Sequence, residues 1–183
     1  QATGGGRITI AGGTATTNGY PTGPTMGGTN NTSGIHIYNY VRLYSGGGDQ
    51  YLYGKSPSGN YFGFRSGGDF IADSGQGQIT VRGDNTAYEW ANTIGDDNAG
   101  DTVFLSEKTS GTAIDISGNS SYYAALSFNR NGTTAITYVV ANGGGAINLT
   151  GNGNGSWVGL ALDRTQVLST SGKITLDGGP TWI

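Results

Sequence analysis

Gly145-Ala146-Ile147-Asn148-Leu149-Thr150-Gly151 returns 27 residues later as Gly172-Lys173-Ile174-Thr175-Leu176-Asp177-Gly178. Each copy sets two apolar side chains at i and i+2 with polar residues between them. That is one short strand with one apolar face. Earlier copies are Gly6-Arg7-Ile8-Thr9-Ile10-Ala11-Gly12, Gly77-Gln78-Ile79-Thr80-Val81-Arg82-Gly83 and Thr112-Ala113-Ile114-Asp115-Ile116-Ser117-Gly118. A looser one is Gly34-Ile35-His36-Ile37-Tyr38-Asn39. The first Ile of each copy falls at 8, 35, 79, 114, 147 and 174, giving steps of 27, 44, 35, 33 and 27. Glycine adopts φ > 0 without a Cβ penalty, so the flanking glycines predict a sharp turn at both ends of the phrase.

Weaker alternating segments fill the intervals. After Ile114 come Ala124–Phe128 and Ala135–Val140; after Ile147 come Trp157–Leu162 and Gln166–Leu168; after Ile79 come Ala87–Trp90 and Thr102–Leu105. This predicts three short strands per repeat. One strand cannot bury its face alone, but coils stacked on one another bury a continuous core. The fold expected is all-β, a right-handed parallel β-helix (β-solenoid) of about 6–7 coils. Residues 1–183 form one segment, with residues 38–76 as a Tyr-rich irregular region: coils or an insertion. The long step from Ile35 to Ile79 favours two coils, with Tyr40–Leu43 and Tyr61–Phe64 supplying the extra strands.

The composition agrees. Gly is 36 of 183 residues, about a fifth against a usual share of roughly 7%. Charged residues are 11%. Disordered chains are charged and poor in aromatics, whereas this one carries 11 Tyr, 5 Phe and 3 Trp. Net charge is -3, and no two of the nine Lys and Arg are adjacent, so no basic footprint for nucleic acid exists. Cys is absent; a solenoid manages without disulfides because each coil caps its neighbour. No apolar run approaches the length of a membrane span. The first residues lack the basic and apolar regions of a signal peptide. The phrase begins at residue 6, so the chain is expected to be a segment of something longer.

The run from Ala146 to Gly178, with Trp157-Val158-Gly159-Leu160-Ala161-Leu162 and Thr165-Gln166-Val167-Leu168 between two copies of the phrase, resembles the shaft repeats of filamentous haemagglutinin-like exoproteins and of autotransporter passenger domains. The resemblance covers residues 112–178 well and the rest patchily. It implies a β-helical rod, secreted or held at the outer-membrane surface of a Gram-negative bacterium. It also implies adhesion, aggregation or fibre formation, with a host or bacterial surface glycan or protein as partner. No secretion-signalling or barrel part of such proteins is recognisable within these residues.

The candidate contact residues are Tyr38, Tyr40, Tyr44, Tyr51, Tyr53 and Tyr61, six Tyr within 24 residues. Aromatic rings stack on sugars and anchor protein partners; the plainer reading is that several fill a wider coil. His36 lies between two inward Ile and is expected to face outward. No metal site, cofactor or catalytic group is expected. The stretch Gly95–Asp101 carries three acids but lacks the spacing of a Ca²⁺ loop, and the single Gly/Asp-rich stretch Ser45–Gly54 lacks the tandem copies of a Ca²⁺ roll. β-Helical polysaccharide lyases and hydrolases place carboxylates together on one outer face. Here the outward mid-strand residues read Thr9, His36, Thr80, Asp115, Asn148 and Thr175, with one acid. The leading expectation is therefore a non-enzymatic structural and adhesive stalk segment. The alternatives are a glycan-active enzyme on the same fold or an ice-binding solenoid, and exposed end coils would favour end-to-end self-association.

Overall fold

The computed structural model describes residues 4–17, 20–26, 33–38, 40–56, 62–85, 91–94, 100–128, 134–153 and 158–179. The chain is an all-β parallel solenoid of about 4 turns, without helix among these residues. Three parallel sheets run along it. The broadest joins Ile8–Ile10, Gln50–Ser56, Ile79–Asn85, Thr112–Ser120, Ala146–Gly153 and Ile174–Asp177, with Thr25–Met26 beside the second of these. A second sheet stacks Ile35–Ile37, Phe64–Ser66, Asn92–Ile94, Leu126–Phe128 and Leu160–Leu162. The third stacks Val41–Tyr44, Phe70–Asp73, Thr102–Ser106, Thr137–Ala141 and Thr165–Ser169. An antiparallel pair, Gly12–Thr17 with Tyr20–Gly23, interrupts the start and had no signal in the repeat.

The alternating pattern becomes ladders. On the broad sheet Gln50, Ile79, Ile114 and Ile147 are in register and buried, as are Leu52, Val81, Ile116 and Leu149. Each fully buried branched side chain contributes roughly 1.5–3 kcal/mol from the area removed from water. Phe64, Phe70, Phe104 and Phe128 fill the space between sheets, and the Phe70 and Phe104 rings meet edge-on at 5.6 Å. The ladders run out at the last coil, where Ile174 is 40% and Leu176 51% exposed.

Three sequence expectations are corrected. The copy at Ile35–Ile37 does not join the broad sheet; it pairs with Phe64–Ser66 in the second. The broad-sheet strand of that coil is Gln50–Ser56, which pairs with Ile8–Ile10 on one side and Ile79–Asn85 on the other. A buried Gln stands there in the Ile ladder, its Nε2 donating to the carbonyls of Leu43 (3.0 Å) and Asp73 (2.7 Å). From Ile35 to Asn85 the chain consequently visits each sheet twice. Secondly, the described residues hold about 4 turns rather than 6–7.

Thirdly, the glycine that closes the phrase is no turn. Gly83, Gly118 and Gly151 lie within their strands, which continue to Asn85, Ser120 and Gly153. They point inward, where the chain passes close above: a Cβ on Gly151 would strike the Gly159 carbonyl, and one on Gly54 the Gly63 carbonyl. Positive φ values recur instead in the turns before the broad strands, at Gly46, Gly47, Gly75, Gly111 and Gly144, with others at Gly68 and, after the last broad strand, at Gly179. Of the weaker segments, Ala87–Trp90 lies outside the described residues, and the strand of that coil is Asn92–Ile94.

Candidate functional site

Because the strands run through their glycines, the broad sheet carries three outward rows instead of two. The first holds Thr9, Tyr51, Thr80, Asp115, Asn148 and Thr175. The second holds Tyr53, Arg82, Ser117, Thr150 and Asp177. The third, beyond the glycine, holds Lys55, Asp84, Asn119 and Asn152. Strands spaced by about 4.8 Å set that interval between neighbours in each row.

The third row is hydrogen-bonded along the stacking axis. Asn152 Nδ2 donates to Asn119 Oδ1 at 2.9 Å, and Asn119 Nδ2 donates to Asp84 Oδ1 at 2.7 Å. The other Asp84 oxygen accepts the hydroxyl of Tyr53, one coil back and one row over. Burial, reinforced by this bond to the carboxylate, pushes the Tyr53 phenol up to about 12. The row borders a groove of about 420 Å³ lined by Lys55, Asp84, Asn119, Ser121 and Asn152.

The six Tyr part company. Tyr51 and Tyr53 come together on the broad face, ring centroids 6.4 Å apart, with the Arg7 guanidinium 5.7 Å from the centre of the Tyr51 ring. Tyr38 is exposed on another side of the coil, edge-on to His36 at 5.7 Å. His36 itself faces outward. Tyr40 is 70% exposed with φ of 64°, and Tyr44 borders a smaller cleft with Asp73 and Glu107. Tyr61 lies outside the described residues, as do residues 95–99 of the acidic stretch. None of the described candidate Tyr belongs to the buried core. In the Ser45–Gly54 stretch the Asp49 carboxylate accepts the Gln78 N–H at 2.8 Å, joining adjacent coils.

The mid-strand row keeps Asp115 as its one acid, but the same face also carries Asp177 in the second row and Asp84 in the third. Asp115 in the first row is more than half buried; desolvation raises its carboxyl above the usual 3.8, and the Arg82 guanidinium partly offsets that rise. The Asp84 and Asp115 carboxylates are four residues apart in register, about 13 Å along the strand direction. The signal for the third row was present in the sequence. Gly54-Lys55-Ser56, Gly83-Asp84-Asn85, Gly118-Asn119-Ser120 and Gly151-Asn152-Gly153 repeat a glycine, a polar residue and a small or amide residue after each broad-sheet phrase.

No family model, curated protein or solved structure matches this chain. The geometry therefore stands by itself. Among the described residues no helix is long and apolar enough to cross a membrane, and no three His, Cys, Asp or Glu cluster to hold a metal ion.

Proposed function

We propose that the chain is a structural and adhesive β-helical stalk segment of a bacterial cell-surface or secreted exoprotein, of the filamentous haemagglutinin-like or autotransporter kind. Its partner is a surface glycan or protein. In this reading three strands make each coil, and stacked shafts associate into fibres or aggregates. The observation that carries it is the broad sheet, where strands stay in register from Gln50 to Asp177 with one shift, beside Thr112, beneath an unbroken polar outer face. Such a face suits repeated shallow contact.

On the broad face, binding without cleavage is the form of this reading the carboxylates support. Glycoside hydrolysis uses two carboxyl groups about 5–9.5 Å apart, and the Asp84–Asp115 separation of about 13 Å exceeds that. An ice-binding array needs a uniform Thr row, whereas the first row mixes Thr with Tyr51, Asp115 and Asn148.

Display of the full chain on a bacterial surface through an unrelated carrier barrel tests the proposal. Cells carrying it should adhere to glycan-coated beads or aggregate more than cells carrying the barrel alone. Equal behaviour of the two overturns the adhesive reading.

A further inference from the structure

We infer that the groove over the third outward row is a binding site for a neutral, hydroxyl-rich polysaccharide lying along the stacking axis. This rests on the adhesive reading and deepens it, moving the contact from the scattered Tyr to Asp84, Asn119 and Asn152.

Three features lead to that ligand. The first is direction. The row crosses the strands, so the same polar position recurs every coil, about 4.8 Å apart. From Lys55 to Asn152 it spans three such steps, about 14 Å. A linear ligand with a repeated polar unit matches a linear array; a compact one meets only part of it.

The second feature is the hydrogen-bonding inventory. A carboxamide has two donor hydrogens and a carbonyl oxygen with two lone pairs. The chain of bonds from Asn152 through Asn119 to Asp84 uses one N–H of each amide and one lone pair of the Asn119 oxygen. A second N–H on each amide and the Asn152 oxygen are left for a ligand. A sugar hydroxyl donates and accepts in the same way, so a pair of neighbouring hydroxyls is served by one side-chain amide. The internal bonds also hold the amides in place before the ligand arrives, which lowers the ordering cost of binding. Tyr53 does the same for Asp84 from the other side.

The third feature is charge. Lys55 and Asp84 stand side by side in register and offset one another. The chain as a whole carries -3. A polyanionic glycan would meet Lys55 as the one cation among the described lining residues and a net repulsive field, whereas a neutral chain meets no such penalty. Among the described residues the groove is lined by polar side chains, without a large apolar anchor of the kind that dominates protein–protein contacts.

The test is titration calorimetry of the full chain with neutral oligosaccharides of increasing length, from disaccharide to hexasaccharide, in the cello-, manno- and chito- series. A heparin oligosaccharide is the anionic comparison. Binding should appear in at least one neutral series, strengthen with length until about three coils are spanned, and exceed that of heparin. The double variant Asn119→Ala/Asn152→Ala should bind roughly 30-fold more weakly, the equivalent of about 1 kcal/mol for each lost polar partner. Both side chains are exposed, so its melting temperature should stay near the parent's. Asn119→Asp, which keeps the shape but sets a second carboxylate against Asp84, should also bind weakly. No binding in any neutral series, stronger binding of heparin, or equal binding by the variants overturns the inference. If displayed cells adhere while the isolated chain binds no neutral oligosaccharide, the groove assignment falls and the adhesive reading stands. If the chain binds through Asn119 and Asn152 but displayed cells do not adhere, the groove stands and the stalk reading falls.

Discussion

The hydroxyl of Tyr53 donates to the carboxylate of Asp84 on the following coil, tying the second outward row to the third. The two residues are 31 apart in sequence and adjacent only because the coils stack in register. Tyr53→Phe keeps the ring and removes this bond, so it should cost about 1 kcal/mol or less. The pH dependence has a definite sign. The phenol is raised to about 12 in the folded chain from 10.0, so the folded state holds its proton longer. The contribution of Tyr53 is complete below pH 10 and disappears as pH rises towards 12. The parent should therefore lose stability more steeply than Tyr53→Phe across that interval. Phenolate absorbance checks the assignment: a late-titrating component near pH 12 in the parent should be lost in the variant.

The two kinds of glycine should respond oppositely to substitution. Gly111 has φ of 67° with open space around its Cβ position. Asn adopts that conformation readily, so Gly111→Asn should be nearly neutral in urea unfolding. Gly151 is confined by the Gly159 backbone rather than by its own dihedral. Gly151→Ala should cost about 3 kcal/mol, as forced overpacking does. Comparable losses in both variants would mean that turn conformation governs both positions.

The inner ladder should weaken towards its last coil. Ile116, Leu149 and Leu176 occupy one ladder position in successive coils. Ile116 is fully buried and Leu176 is 51% exposed. Ile116→Ala should cost about 2–5 kcal/mol through lost burial and the cavity left behind. Leu176→Ala should cost under about 1 kcal/mol, since much of its surface already meets water. Denaturant midpoints of the two variants decide the point.

The parts of this molecule that could be read in advance are those in which side-chain chemistry repeats. Ile114, Ile147 and Ile174 announce their ladder because apolar residues at a fixed offset are rare by chance in so polar a chain. The same rule misplaced Ile35: where the ladder holds Gln50, the pattern breaks, and a pair of Ile in another sheet was read in its stead. That Gln is tolerated because two carbonyls of third-sheet strands, those of Leu43 and Asp73, accept from it, a tertiary fact with no local signature. The third outward row escaped for a different reason. Glycine marks turns and close approach alike, and only the packing of Gly63 and Gly159 above Gly54 and Gly151 separates them. Once the strand is ended at the glycine, Asp84, Asn119 and Asn152 become loop residues and the groove vanishes. The pairing of Tyr51 with Tyr53 was legible from their i and i+2 spacing. The dispersal of Tyr38, Tyr40 and Tyr44 around the coil depends on where each turn falls.

Asp115 should be a site where removing charge stabilises the fold. It stands in the first row between Thr80 and Asn148, more than half buried, and desolvation raises its carboxyl above 3.8 despite Arg82. The unfolded chain thus gives up this proton at lower pH than the folded one. The favourable balance at Asp115 is complete below pH 3.8 and is lost as pH rises through the folded value. At neutral pH the carboxylate is charged and underhydrated. A carboxamide in its place would be neutral there and continue the amide chemistry of Asn148. Asp115→Asn should therefore raise the denaturant midpoint at pH 7. The gain should be below about 1 kcal/mol because the site retains substantial contact with water. It should shrink as pH falls and vanish once the parent carboxyl is protonated. A variant less stable than the parent at pH 7 would mean that the attraction between Asp115 and Arg82 outweighs the burial of the charge.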